Sequence, residues 1–215
     1  MSAGPSPFVP PAQPGPPTPP ASPTPPAPPA SPTPPALPVP PAPPTVRRPG
    51  TRLAGAVLTV SAVLVGLMAG LFFAFDVSVM PGLAAGDERT YVTAMRAFNQ
   101  AIDGNPLFGT VFLLALVAAV LSAVLEFRGG RRAVALWVGA AAVAYLVVLL
   151  ITFTVNIPLN NELAGGGDVA AMKDFGIVER FRTTWVTTNI IRTLLCTTAL
   201  AALARALLLH GRTTR

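Results

Sequence analysis

Four apolar runs, at about residues 53–75, 107–127, 133–155 and 186–209, constrain this chain more than anything else in it. Each reaches the roughly 20 residues that a helix needs to cross a hydrocarbon layer at about 1.5 Å per residue. Polar breaks fall only at their ends, an arrangement that a soluble helical core does not require. Lipid offers the backbone no hydrogen-bond partner, so the runs must be helices. The expected fold class is therefore all-α membrane: a four-transmembrane-helix bundle over residues 51–210, multi-pass in the cell membrane, with membrane lipid as its first partner. Charge usage agrees. Charged residues make up 11% of the chain, against about 25% in soluble domains.

Residues 1–50 follow another logic. They hold 23 of the 26 prolines, with Ser-Pro-Thr-Pro-Pro-Ala at Ser22 and again at Ser31. Proline fixes φ and removes a donor, so neither helix nor sheet propagates, and the expectation is a disordered Pro/Ala-rich tail with polyproline II character. Its P-x-x-P spacings arise from composition alone, and a solvated spacer is the reading preferred. A hydrophobic signal would not begin after such a tail, so the first span is expected to be an uncleaved anchor.

The net charge of +6 does not point to nucleic acid, because the arginines sit singly or in small groups beside the spans and form no basic stripe. A lone cysteine, Cys196, and a lone histidine, His210, give no metal-ligand spacing. Basic residues orient the bundle instead. Arg47, Arg48 and Arg52 precede the first span, Arg128, Arg131 and Arg132 fill the turn between the second and third, and Arg212 and Arg215 follow the last. The positive-inside bias places both termini and that turn in the cytoplasm, against five basic residues in the outer connections. Glu126 beside Arg128 reads as a solvated interfacial pair, and Gly66 with Gly70 as a small-residue face for helix packing.

The outer connections carry their own pattern. Tyr91, Met95, Phe98 and Ile102 recur at helical spacing, predicting a short amphipathic helix over 88–103 with acidic Asp87 and Glu88 at its start. Asn105-Pro106 marks the beginning of the second span. Pro158 is expected to interrupt the third, and residues 169–184 to form a second amphipathic segment.

Polar residues gather at the outer end. Asp76 closes the first span, Asn156 and Asn160 close the third, and Trp185, Asn189 and Arg192 share one face of the fourth. Arg192 lies seven residues beyond Trp185, about 10 Å along the axis. A guanidinium facing lipid at mid-span costs about 2.5–3.5 kcal/mol. It is expected to turn inward toward Asp76 or Glu162, or toward asparagine and backbone carbonyls. Two readings follow: a structural clamp that binds a lipid or a partner at most, or a small pocket with a polar head that receives a substrate.

Several of these motifs together carry a resemblance. Gly70-Leu71-Phe72-Phe73-Ala74-Phe75 with Val79-Met80-Pro81-Gly82-Leu83, the run from Met95 through Asn99 to Ile102, the N-x-P-L-N pattern from Asn156 to Asn160, and W-x-x-x-N-x-x-R from Trp185 to Arg192 resemble the anthrone-oxygenase-like family of small membrane proteins, over residues 55–205. The resemblance implies a four-helix membrane fold. For some members it implies oxidation of an anthrone-like aromatic by dioxygen without metal, flavin or other cofactor. On that reading Asn99, Asn156, Asn160, Trp185, Asn189 and Arg192 bind the substrate, and the base lies open between Asp76 and Glu162. A non-catalytic membrane protein remains the alternative.

Overall fold

A computed structural model describes residues 49–214, with the side chain of Pro49 excluded. The proline-rich tail, Arg47, Arg48 and Arg215 lie outside the described residues. Four helices are long and apolar enough to cross a membrane: α1 (Gly50–Ala84), α3 (Pro106–Arg128), α4 (Arg132–Gly165) and α5 (Gly176–Thr213). A fifth, α2 (Glu88–Asp103), connects α1 to α3 and occupies the stretch that its apolar stripe predicts. The protein is a multi-pass all-α membrane bundle. Its four long helices form a ring in which α1 packs on α3 and α5, and α4 packs on the same two. Large apolar side chains such as Leu67, Phe73, Leu136 and Leu194 are exposed around the outside, as a lipid-facing surface requires.

The core between the spans is made largely of small residues. Ala115, Ala119, Ala199 and Ala206 are fully buried beside Leu58, Val65, Val138 and Leu203. Little hydrophobic force drives helices together in lipid, so close backbone approach and van der Waals packing must serve. Gly66 contributes here, since a Cβ at that position would touch Leu200 of α5. Gly70 does not, because a Cβ there would meet nothing within 4 Å.

Local chemistry sets the helix boundaries. The Asp87 side chain caps α2, accepting from the Thr90 backbone N–H at 3.0 Å and from its hydroxyl at 2.7 Å; the backbone bond is the main reason its carboxyl sits below the ordinary range. Asn105 caps α3 through a 2.9 Å bond from the Leu107 N–H, with Pro106 in the first turn. Between α3 and α4 the chain reverses through Gly130 at φ +76°, a conformation that favours glycine.

Three expectations need correction. Pro158 does not end the third span: α4 continues to Gly165, because a π-turn at Thr152–Asn156 shifts the hydrogen-bond register ahead of the proline. Residues 169–184 are not one amphipathic segment. A 3-10 turn covers Val169–Ala171, and α5 begins at Gly176, well before Trp185. Glu126 is not a solvated partner of Arg128. It is fully buried, accepts from Arg131 Nε, and lies 2.7 Å from His210 Nδ1. His210 reaches in because α1 offers no side chain at Gly55, where a Cβ would fall 2.9 Å from the imidazole Nε2. The turn and the end of α5 are thereby tied to one carboxylate.

Removing one partner from a buried ionic cluster costs about 3–5 kcal/mol, since the others are left uncompensated. Glu126→Ala should therefore melt well below the native protein in detergent. The single, fully buried Cys196 supplies the readout as it becomes reactive to a thiol dye. An unchanged midpoint would show that the cluster does not hold this end of the bundle.

Candidate functional site

At the opposite end, α1, α4 and α5 each contain a π-turn: Phe75–Val79, Thr152–Asn156 and Phe181–Trp185. A π-turn breaks the regular ladder and re-aims the side chains around it, and such turns gather at functional sites. Asp76, Thr152, Asn156 and Trp185 all lie within these three turns. Asn189 and Arg192 follow on α5, one and two turns deeper.

Arg192 is the centre of the arrangement. It is 4% exposed. Its Nη1 donates to Thr152 Oγ1 at 3.1 Å and its Nη2 to Asn189 Oδ1 at 2.8 Å. The guanidinium carbon lies 4.4 Å from the centroid of the Phe72 ring and 5.5 Å from that of Trp185, so aromatic faces replace part of its lost hydration. Neither carboxylate expected as its partner pairs with it directly. Glu162 pairs with Arg180 at the surface. Asp76 accepts from Asn189 Nδ2 and from Thr193 Oγ1, each at 2.5 Å, and reaches the guanidinium only through Asn189. Asn189 also donates to the main-chain oxygen of Phe72 at 2.9 Å. One carboxamide thus locks α1 to α5 and orients the cation.

These groups surround a cavity of about 370 Å³, within the range of small-molecule sites. Asn99, Asn156, Asn160, Trp185, Asn189 and Arg192 all line it, although they come from three different helices. Asp76 and Glu162 do not line it. Asp103, not singled out in the sequence, does. The Trp185 indole N–H donates to Asn160 Oδ1 at 3.0 Å, and the ring stacks on Phe181 at 5.9 Å between centroids. Asn156 Nδ2 donates to Thr188 Oγ1 at 3.0 Å. Three buried polar atoms of the lining have no protein partner: Arg192 Nε, Asn156 Oδ1 and Asn99 Nδ2.

The remaining wall is aromatic. Phe72, Phe75, Phe108, Phe112 and Phe153 line the cavity, with Phe108 stacked on Phe112 at 5.8 Å and an interplanar angle of 13°. Sequence reading missed this wall. The i, i+4 spacing of Phe108 and Phe112 was the available signal, but it looks the same as ordinary packing on an apolar helix. Thr152 was missed for a similar reason, since a threonine inside an apolar span usually bonds back to its own helix, as this one also does to Val148 O at 2.8 Å.

A sequence model of the family described as anthrone oxygenase matches residues 96–202. The chain belongs to this anthrone-oxygenase-like family. No curated protein and no solved structure matches it. The matched stretch contains Asn99, Asn156, Asn160, Trp185, Asn189 and Arg192, and so spans α2, α4 and α5 of the site. The α1 contribution, Phe72 and Asp76, lies outside it. In this anthrone-oxygenase-like protein α1 therefore completes the site from beyond the matched region.

Asn189→Leu keeps an apolar helix but deprives Arg192, Asp76 and Phe72 O of a partner. Each orphaned buried polar group costs about 1–3 kcal/mol. The variant should melt several degrees below Asn160→Leu, which loses the bond from Trp185 alone. Equal midpoints for the two would mean that Asn189 is not the joint between α1 and α5.

Proposed function

We propose that the protein oxidises a hydrophobic aromatic ketone of the anthrone class with dioxygen, inside the membrane and without a cofactor. The observation that carries this reading is one aromatic-walled cavity that brings Arg192 together with Asn99, Asn156 and Asn160. A mostly apolar cavity with a few convergent polar groups is the usual form of a small-molecule site. A clamp accounts for the bonds that Arg192 makes to Thr152 and Asn189 but requires no cavity beside them.

The chemistry suits the residues. The ketone oxygen of the substrate sits at Arg192 and its ring plane lies among the phenylalanines and Trp185. Loss of a proton from the carbon para to the carbonyl across the central ring places negative charge on that oxygen. A preorganised guanidinium in a water-poor site stabilises such a charge far better than it does in water. Asp103, the carboxylate on the lining, accepts the proton and later returns it to the peroxide anion. The electron-rich carbon then reduces dioxygen and bonds to it, giving a hydroperoxide; loss of water leaves the quinone. One oxygen atom enters the product and the other leaves as water. Asp76 acts as a positioning residue, through Asn189.

The capped end of the bundle, where α2 lies, is assigned to the outer face and both termini to the cytoplasm.

The test is quinone formation from an anthrone by the protein in proteoliposomes, corrected for spontaneous air oxidation. The native protein should exceed empty vesicles clearly. Arg192→Lys, which keeps the charge but loses the planar fork, should lose about 10²-fold in rate, and Asn99→Ala and Asp103→Asn should each lose at least tenfold. Native rates equal to those of empty vesicles would remove the anthrone reading.

A further inference from the structure

The walls of the cavity differ in how firmly they are closed. Across its capped end lies α2, which lines it with Asn99, Ile102 and Asp103. That helix is pinned. Arg96 donates to Leu163 O at 2.8 Å and to Gly167 O at 2.6 Å, and Arg89 donates to Ala170 O at 3.1 Å. Beneath it Tyr91, Val92 and Met95 are fully buried; burial pushes the Tyr91 phenol up to about 12, partly countered by Arg182.

The side of the cavity is different. Leu113 and Phe153 line it, yet they are 49% and 53% exposed. Both lie well inside membrane-spanning helices: Leu113 is seven residues into α3, about 10 Å along its axis, and Phe153 adjoins Thr152, the partner of Arg192. Phe112, next to Leu113, lies 6.3 Å from Phe153 between centroids, which puts both residues at one seam between α3 and α4. Deeper in the bundle the seam is closed by the Tyr145 hydroxyl, donating to Phe112 O at 3.0 Å. Toward the cap the lining includes Gly109, where a Cβ would meet nothing within 4 Å.

We infer that the ligand reaches the cavity sideways from the hydrocarbon layer, through the seam between α3 and α4 flanked by Gly109, Leu113 and Phe153. The ligand class follows. It must be planar enough to pass between two helices and uncharged while it crosses, because its apolar surface holds it in the bilayer. Its charge develops only at Arg192. A ketone with a latent acidic C–H fits this order, whereas a permanently anionic quinone does not. This inference rests on the proposed function for what the cavity binds, and adds the route and the state in which the ligand arrives.

The experiment uses the full chain in lipid nanodiscs with Trp137→Phe, so that Trp185 is the remaining tryptophan and reports binding by quenching. Two probes are mixed rapidly with it: a hydroxyanthraquinone that partitions into lipid, and its sulfonated, water-soluble form. At a fixed aqueous concentration, the association rate of the first should rise in proportion to its mole fraction in the lipid. The sulfonated probe should bind at least tenfold more slowly. Gly109→Phe should slow association of the first probe tenfold or more, and Phe153→Ala should speed it severalfold, so the route stays testable if the bulky variant does not fold. Saturable quenching whose rate follows aqueous concentration alone, unaffected at Phe153, would overturn the lateral route and leave the binding site standing. Absence of quenching by either probe would overturn both.

Discussion

A guanidinium placed two helical turns inside an apolar bundle stays there only if its donors and its charge are provided for. Here Thr152 and Asn189 take two of its donors, at 3.1 and 2.8 Å, and Phe72 and Trp185 supply π-faces. None of these is anionic, and the nearest carboxylate in the network, Asp76, is bonded to Asn189 and Thr193 instead. Burying a cation among neutral partners is a poor way to stabilise a bundle, since desolvation outweighs what such partners return. The arrangement makes better sense as a preorganised receptor for negative charge that appears only in the course of a reaction.

The same constraint organises the backbone around it. Straight α-helices would carry Asp76, Asn156 and Trp185 past one another at the angles that the regular repeat allows. The three π-turns change those angles at one level of the bundle, on α1, α4 and α5. Two of the three prolines outside the tail follow such turns directly, Pro81 after Val79-Met80 and Pro158 after Asn156-Ile157. Irregular backbone is tolerated at membrane depth where it borders a cavity or is covered by protein, and this one is both. Above it, α2 acts as a fixed cap held by two arginines, while the lipid-facing side has only apolar side chains between cavity and membrane.

Much of this was legible in the sequence because lipid imposes simple rules. Span number and the position of α2 follow from apolar length and period, and the inward turn of Arg192 follows from the cost of exposing it. Asn156, Asn160, Trp185, Asn189 and Arg192 were visible because such side chains are conspicuous in or at the ends of apolar spans, whereas Asn99 on α2 was visible only through the family resemblance. Other features were hidden for physical reasons. Glu126 looked solvated beside Arg128, since nothing local reveals that His210, 84 positions later, and a glycine at position 55 make room for burial. The π-turns have no composition signal apart from nearby prolines, and Pro158 therefore read as a break. Asp103 looked like an ordinary helix-end carboxylate, and the phenylalanine wall like core packing; only the relative positions of the helices distinguish them.

If the cation is kept for a ligand and not for the fold, an apolar replacement of similar length should not weaken the bundle. The decisive measurement is the melting midpoint of Arg192→Met against the native protein in the same detergent. The expected midpoint is close to the native one, because relief of the cation's desolvation offsets the donor lost by Asn189 Oδ1, and quinone formation is lost. A midpoint several degrees lower would contradict this, and would make Arg192 a clamp whose purpose is to hold α4 and α5 together.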